Sequence, residues 1–551
     1  MQITKSSGTI FWIIIGIIFF IPFNGNVHLF DWDEINFAEI SREMLVQHNF
    51  LEPHINFISF TEKPPLYFWL QAFSMKLFGI NEYAARFPNA LLGVIVLPVL
   101  FRMGTKLRNT TLGMFWALAY FGAILPALYF KSGIIDPVFN FFIFLSVCSI
   151  FSAAANKKKQ QKYLASLLIA GLFTGLAILT KGPVAILITG LTLITLFIVN
   201  RFKWFISFAD LLIYIAAALI TTSVWLLLNY FQSGNKFIIE FTIRQWALLT
   251  TADAGHGGFL LYHFVVILFG CFPAAAFMII GFFNNEKNSE EVALFKKWMT
   301  VLFWVVLMLF TLVNTKIVHY SSLCYYPLSF LAALSIENLI IGRWKYSRWT
   351  TVIICFTALP LIIAPFALSY LVKHMDTLKG LLTQDQFAVE NIAAKIVWTG
   401  VEFVPGVLML LTLIVYIVLI NKNKKYAAIN CLFWGTAIWI QLGLFFYIKN
   451  IEGISQRANI EFWQSKKMED SYFATYGYKS YTQYFYGAVK AQANPKANDM
   501  DWLLKGVVDK SVYISCKTTS HAQLENEIKD ARFLYHKNGF YFYVRQPVYL
   551  R

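Results

Sequence analysis

The chain has 551 residues, 58% of them hydrophobic and only 14% charged, with a formal net charge of +16. So much apolar and so little charged residue excludes a water-soluble globule and implies a polytopic membrane protein. Nor does the positive charge argue for nucleic acid: the basic residues stand in short clusters between apolar runs, as the positive-inside rule places them.

Apolar runs of about 20 residues, long enough to cross a ~30 Å hydrocarbon core, recur from Ile10 to about Tyr447. With a cytoplasmic N-terminus, one crossing per run gives about 13 transmembrane helices. They fall near residues 9–27, 83–103, 111–130, 134–155, 163–180, 183–200, 207–231, 259–283, 297–314, 320–341, 349–372, 397–420 and 427–447. The break at Thr180–Pro183 is the least marked, because one long kinked helix would fit as well. Residues 1–27 lack a small-residue cleavage site and lead straight into the bundle, so a retained first helix is expected. The loops alternate between basic and not basic. Cytoplasmic clusters are expected around Arg102 to Arg108, Lys157 to Lys162, Arg201 to Lys203, Arg343 to Arg348 and Lys422 to Lys425. An odd number of crossings leaves the C-terminus outside. The six cysteines are scattered and form neither a disulfide framework nor a CxxC metal site.

Between the first two crossings lies a polar insert, WDEINFAEISREM followed by FTEKPP, that crowds Asp31, Asp33, Glu34, Glu39, Glu43, Glu62 and Lys63 into an otherwise apolar chain. Charges held beside a membrane carry a solvation cost and mark a functional cavity. Phe37, Ile40, Met44 and Leu45 recur at helical spacing with Glu39 and Glu43 on another face, which predicts an amphipathic helix lying along the interface, and a second is expected after Pro65. From about Lys449 the chain becomes polar and Tyr-rich, and strand-like, helix-like and strand-like stretches predict a small α/β or α+β domain. The expected organisation is mostly α: a membrane domain over residues 1–448, whose first outer loop is 28–81, and a soluble extracytoplasmic domain over 449–551.

This threading puts the insert, the loop around Lys131–Asp136, the turn at Lys181, the loop 232–258 and the stretch 314–320 on one non-cytoplasmic side. Asp33 and Glu34 open the interfacial helix, where a carboxylate gains from the helix dipole and can bind a cation or accept a proton, or simply cap the helix. In Glu62-Lys63-Pro64-Pro65 the lysine suits a phosphate and the glutamate a divalent ion, unless the pair is a local surface ion pair. Asp136 before Pro137 is either a cavity acid or an N-cap. Lys181, beside Gly182 and Pro183, either meets an anion or snorkels to the interface. Arg244, Asp253, His256 and His263 offer groups for a metal or phosphate on an outer loop, and Lys316, His319 and Tyr320 cluster at a helix boundary.

The order WDEINFAEISREM, EKPPLYFW, Asp136-Pro137, LTKGP, an outer-loop His and KIVHYSSLCYYP resembles the GT-C membrane glycosyltransferases. Similarity is greatest to the bacterial aminoarabinose lipid A transferases and the related protein mannosyltransferase-like enzymes. The resemblance covers nearly the whole membrane region and is more specific in its first third. It implies a polyprenyl-phosphate sugar donor used on the periplasmic face of a bacterial inner membrane. Asp33 would be the catalytic carboxylate, with Glu34 beside it, and Asp136 a second cavity acid. Lys63 and Lys181 would hold the donor phosphate, with Tyr320, Lys316 and Arg244 near it. Glu62 and His256 match positions that bind a divalent metal, with zinc the first candidate and magnesium or manganese the others. The chain departs from the pattern at Asn36-Phe37, Phe60-Thr61 and Gly257-Gly258, where the lipid A enzymes carry basic or hydroxyl-bearing residues.

The expected function is transfer of a sugar, a hexose or a pentose, from a polyprenyl-phosphate donor to a lipid or protein acceptor, with inversion, by a monomer among membrane lipids. A transporter or flippase also has many helices with intramembrane charge, but no internal repeat is visible here. A structural scaffold would leave the charged cavity without a purpose.

Overall fold

The computed structural model of the protein describes residues 4–250 (248–250 by backbone alone), 257–285, 289–374, 379–380, 384–392 and 394–547. The apolar runs fold as helices in chain order. Before the second crossing come α1 (Lys5–Phe20), α2 (Asp33–Gln47) and α3 (Leu66–Phe78). The next group is α4 (Glu82–Leu107), α5 (Thr110–Phe121), α6 (Ile124–Tyr129), α7 (Asp136–Lys158), α8 (Leu164–Lys181) and α9 (Val184–Val199). Beyond these lie α10 (Phe208–Ser233), α11 (Lys236–Thr250), α12 (Tyr262–Gly270), α13 (Ala274–Phe283), α14 (Glu290–Leu312), α15 (Tyr325–Ile340) and α16 (Arg348–Lys373). Two more apolar helices, Val404–Asn421 and Lys425–Gly443, precede the C-terminal domain. Among the described residues, nine helical segments are long and apolar enough to cross a membrane, α12 and α13 form one pair bent by 112°, and α1, α5 and α9 are shorter. Ten of the 13 expected crossings are thus present as a helix or a bent pair of sufficient length, and the other three fall on the shorter α1, α5 and α9. The doubtful break is real: α8 stops at Gly182, whose φ of +88° suits glycine and where a Cβ would lie 2.6 Å from Gln245 Oε1.

Side-chain caps begin several of these helices. Asn81 Oδ1 accepts from Ala84 N at 2.9 Å, and Asn109 Oδ1 accepts from Leu112 N at 2.9 Å. The basic clusters converge on one end of the bundle. Lys157 pairs with Asp210, Lys158 Nζ lies 2.5 Å from Glu290, Lys159 Nζ 2.6 Å from Glu291, and Arg108 3.3 Å from Glu337. Alternating loops therefore gather at opposite ends, which sets the candidate residues together at the other one.

Two expectations are corrected. The helix expected to end near Tyr447 continues through one wide turn to Ser455, because Glu452 near its end is held by His28 (2.8 Å) and by Arg457. And α2 is not an amphipathic helix lying on a membrane surface. Every residue from Glu34 to Met44 is buried, since the C-terminal domain packs over it. Its charges are satisfied inside: Arg42 makes a bidentate pair with Glu39 (2.7 and 2.7 Å) and donates to Val489 O (2.9 Å). Glu43 accepts from Asn56 N (2.6 Å) and Phe57 N (2.9 Å). The chain entering α2 is pinned by the same domain, with Leu29 N donating to Tyr486 Oη (2.7 Å) and Gln456 Nε2 to Leu29 O (2.7 Å).

The C-terminal domain carries the predicted mixture. Strands β3 (Tyr472–Tyr476), β4 (Val512–Lys517), β5 (Arg532–Lys537) and β6 (Phe540–Arg545) form a sheet in the order β3-β4-β6-β5, after a two-stranded hairpin β1 (His54–Ile55) and β2 (Ile58–Ser59) in the insert. β3 pairs with β4 in parallel and the other pairs are antiparallel. The β5–β6 turn is Asn538-Gly539, both at positive φ, the pair that a tight hairpin turn favours.

Burial, and then the Glu39 carboxylate beside it, push the Glu43 carboxyl up to about 9. Because the folded state holds this proton more tightly than the unfolded chain, its contribution to stability is complete below the ordinary carboxyl value and is lost as pH rises toward 9. Thermal melts from pH 5 to pH 9 should therefore fall in the wild type and flatten in Glu43→Gln, even though the amide has one acceptor for two backbone N–H groups. An unchanged slope in the variant would contradict the assignment.

Candidate active site

Five side chains from distant parts of the sequence meet beside the insert, each near the end of a helix or a turn. Asp33 and Asp136 are the first residues of α2 and α7, and Lys181 is the last of α8. His319 and Tyr320 lie in the tight turn Val318–Cys324 that leads into α15. Lys181 Nζ lies 2.6 Å from Asp136 Oδ1 and 5.3 Å from the centre of the Tyr320 ring. Nε2 of His319 stands 3.8 Å from Asp33 Oδ2 and 3.8 Å from Asp136 Oδ2. The His319 carbonyl accepts from the Ser322 hydroxyl, and Asn140 Nδ2 donates to that hydroxyl at 2.6 Å, so α7 fixes the turn that carries the imidazole. Asp136 does not cap its helix: no side-chain capping bond is made, and its carboxylate is spent on Lys181 and His319.

Lys63 belongs to the same cluster. Burial lowers its amine pKa, and the charge of Lys181 lowers it further, against the opposing pull of Glu62, Asp33 and Asp136. Among the described residues it makes no hydrogen bond and no ion pair. Asp33 is the most open of the carboxylates, its side chain 37% exposed against 4% for Asp136. The result is a charged cluster with one accessible carboxylate, one cation that has no partner among the described residues, and a buried Asp136–Lys181 pair. Such a cluster can take up an anion at Lys63 and set a proton acceptor at Asp33 beside it.

Other expected site residues are placed differently. Glu34 turns away from the cavity and is fully engaged: Arg86 donates to it at 2.7 and 3.0 Å, Phe30 N at 2.9 Å and Gly133 N at 2.5 Å. Burial alone would raise the Glu34 carboxyl, but Arg86 and the two backbone donors hold it below the usual range. Its place is therefore under the site, tying the start of α2 to the loop before Asp136. Lys316 is also diverted, its amine donating to the carbonyls of Phe310 (3.2 Å), Thr311 (2.6 Å) and Val313 (2.6 Å) at the C-terminal end of α14, where a cation is favoured. Arg244 reaches the edge of the site through Glu62, with Nη2 2.7 Å from Oε1.

That pairing bears on the metal. Glu62 already has a guanidinium on its carboxylate, and among the described residues no three His, Cys, Asp or Glu side chains converge on a metal position. His256 and Asp253 lie outside the described residues.

Sequence reading underrated His319 and missed Arg86, Gln71 and Asn89. Gln71 Nε2 donates to Ala85 O (2.8 Å) and Gly133 O (3.3 Å), and Asn89 Nδ2 to Ser132 O (2.7 Å) and Ile134 O (2.6 Å), so both hold the loop that delivers Asp136. A signal was available: an arginine and an asparagine inside the apolar run 83–103 carry a cost that implies buried partners.

The profile of the family described as dolichyl-phosphate-mannose-protein mannosyltransferase matches residues 62–228. Among curated proteins, the undecaprenyl phosphate-alpha-4-amino-4-deoxy-L-arabinose arabinosyl transferase 1 of Proteus mirabilis is 25% identical over 332 residues, 60% of this chain and 59% of that one. The corresponding transferase of Enterobacter sp. (strain 638) is 26% identical over 357 residues, 62% of each chain. The chain thus spans about three fifths of the length of the curated relatives it matches. A crystal structure of ArnT from Cupriavidus metallidurans bound to undecaprenyl phosphate superposes with a TM-score of 0.74 over 98% of both chains, at 16% identity. The chain is therefore a mostly helical, polytopic protein with the fold of these membrane glycosyltransferases, and similar to them in sequence over about three fifths of its length.

Proposed function

We propose that the protein is a glycosyltransferase that moves a sugar from a polyprenyl-phosphate donor to an acceptor on the extracytoplasmic face of a bacterial inner membrane. The observation that carries this reading is the juxtaposition of Lys63, a cation with no partner among the described residues, with the open carboxylate of Asp33 and the Asp136–Lys181 pair. The relatives' names and the ArnT complex supply the donor class. A pentose fits those relatives better than a hexose; a lipid A-like glycolipid, another envelope glycolipid or a protein would be the acceptor.

The donor phosphodiester sits against Lys63, with Lys181 behind it. Charge builds on the departing polyprenyl phosphate as the anomeric C–O bond breaks, and cations already in place there stabilise it without reorganising, an effect of several kcal/mol. Asp33 takes the proton of an acceptor hydroxyl, which attacks from the opposite face and inverts the anomeric carbon. An acceptor phosphate needs no base, and Asp33 would then orient it. His319, 3.8 Å from both carboxylates, is placed to orient Asp33. His319→Phe should lower kcat on the order of 10²-fold, the cost of about 1 Å of misplacement, with little change in donor KM. His319→Gln, whose amide nitrogen can replace Nε2, should recover part of the loss. A fall in donor affinity alone would instead place His319 among the phosphate contacts.

The reading is tested by supplying the purified protein in lipid vesicles with a labelled polyprenyl-phosphate sugar and an acceptor extract. Release of free polyprenyl phosphate with label on the acceptor supports it. Label moved across the bilayer with the donor intact would instead indicate a transporter.

A further inference from the structure

A groove of about 610 Å³ opens between α1, α5 and the Lys425–Gly443 helix, away from the charged site. Its lining is graded. Thr110 and Thr111 at the start of α5, with Tyr426 and Asn430 at the start of the Lys425–Gly443 helix, make one end polar. Phe11, Leu118 and Trp434 line the other end, and Leu118 and Trp434 each lie eight residues further along their helices, about 12 Å deeper at 1.5 Å per residue.

The polar mouth is at the basic end of the bundle. Arg108 stands two residues before Thr110, Lys424 and Lys425 directly precede Tyr426, and Arg108 and Asn109 both contact Glu337. Within the groove Trp12 is 0% exposed, yet its indole N–H has no acceptor among the described residues. Neither threonine hydroxyl makes a hydrogen bond among the described residues. A buried N–H left without an acceptor costs free energy that a ligand oxygen would return.

We propose that this groove is a specific site for an anionic glycerophospholipid, whose acyl chain lies along Phe11, Leu118 and Trp434 while its ester and phosphate oxygens meet Trp12, the threonines and Tyr426. A polar mouth at the membrane surface above an apolar floor matches an amphiphile. Lys424 beside the mouth favours negative head groups several-fold, while Arg108 is paired with Glu337 and Lys425 donates to Leu339 O. The site is distinct from the donor cavity, which lies at the opposite end, and it does not depend on the proposed transfer activity.

Native mass spectrometry of the full chain, incubated in detergent with phosphatidylglycerol or with phosphatidylcholine of the same acyl chains, tests this. One tightly retained phosphatidylglycerol is expected, held about tenfold better than phosphatidylcholine. Trp12→Phe removes the N–H together with the five-membered ring of the indole. It should weaken phosphatidylglycerol retention roughly three- to tenfold, with its folding checked by a melting curve in lipid-free detergent. Should that variant not fold, the double variant Thr110→Val and Thr111→Val should show the same loss. Equal retention of both lipids, undiminished retention in the folded variants, or displacement of the lipid by polyprenyl monophosphate would overturn the proposal.

Discussion

Replacing Asp33 by Asn should lower the rate of sugar transfer to a hydroxyl acceptor by about 10³-fold, within the range for loss of a general base, and leave the protein folded. The amide keeps the shape of the side chain at the first position of α2 but cannot take a proton. The donor phosphate is held elsewhere, by Lys63 with Lys181, so donor KM should change little. A steady-state comparison of kcat and donor KM, with a melting curve for each protein, separates the possibilities. A variant that retains wild-type kcat would remove Asp33 from the chemistry. A variant with normal kcat and a raised KM would make it a binding residue.

Arg86→Leu should have the largest effect on folding. Removing the guanidinium leaves the Glu34 carboxylate buried without its cation, and deleting one partner of a buried pair costs about 3–5 kcal/mol. It also removes donors to Asn24 O (2.9 Å), Val27 O (2.7 Å) and His28 O (2.9 Å) along the segment that leads into α2. Because Glu34 also binds Gly133 N, the same change loosens the loop before Asp136. The expected result is a large fall in melting temperature with loss of activity. The double variant Arg86→Leu with Glu34→Leu should recover much of the stability, since two apolar side chains leave no buried charge behind. A single variant as stable as the wild type would show that Glu34 finds its compensation elsewhere.

Much of the architecture was legible because a membrane imposes a strong constraint: each apolar run had to be a helix, and the basic loops had to share an end. The short apolar helix α9 and the break at Gly182 could be seen for that reason. Side-chain direction was harder to read. In α2 the spacing of Phe37, Ile40 and Met44 does mark a helix, but a docked domain buries the opposite face too, and no local pattern reports a domain more than 400 residues away. Asp33 and Glu34 are adjacent, so sequence treats them alike. The helix turns them about 100° apart, one toward the cavity and the other toward Arg86. Lys316 looked like a phosphate ligand because its neighbours His319 and Tyr320 lie in the site, yet the end of α14 lies nearer to its amine. The cluster of Asp33, Lys63, Asp136 and Lys181 was legible because the threading put all four on one side of the membrane and because their motifs resemble those of the GT-C enzymes; residue by residue, capping, snorkelling and a surface ion pair stayed open.

The most direct test of the cavity as a site for a lipid phosphate is the affinity of the purified protein for polyprenyl monophosphate, measured across pH for the wild type and for Lys63→Met. Lys63 must be charged to hold the anion, and its pKa lies below the ordinary lysine value. Wild-type binding should therefore weaken as pH rises, at a lower pH than that at which free lysine would begin to lose its proton. Lys63→Met should bind at least about tenfold more weakly, as expected for one charge-assisted contact, and lose that pH dependence. Equal affinity in the two proteins at every pH would contradict the account.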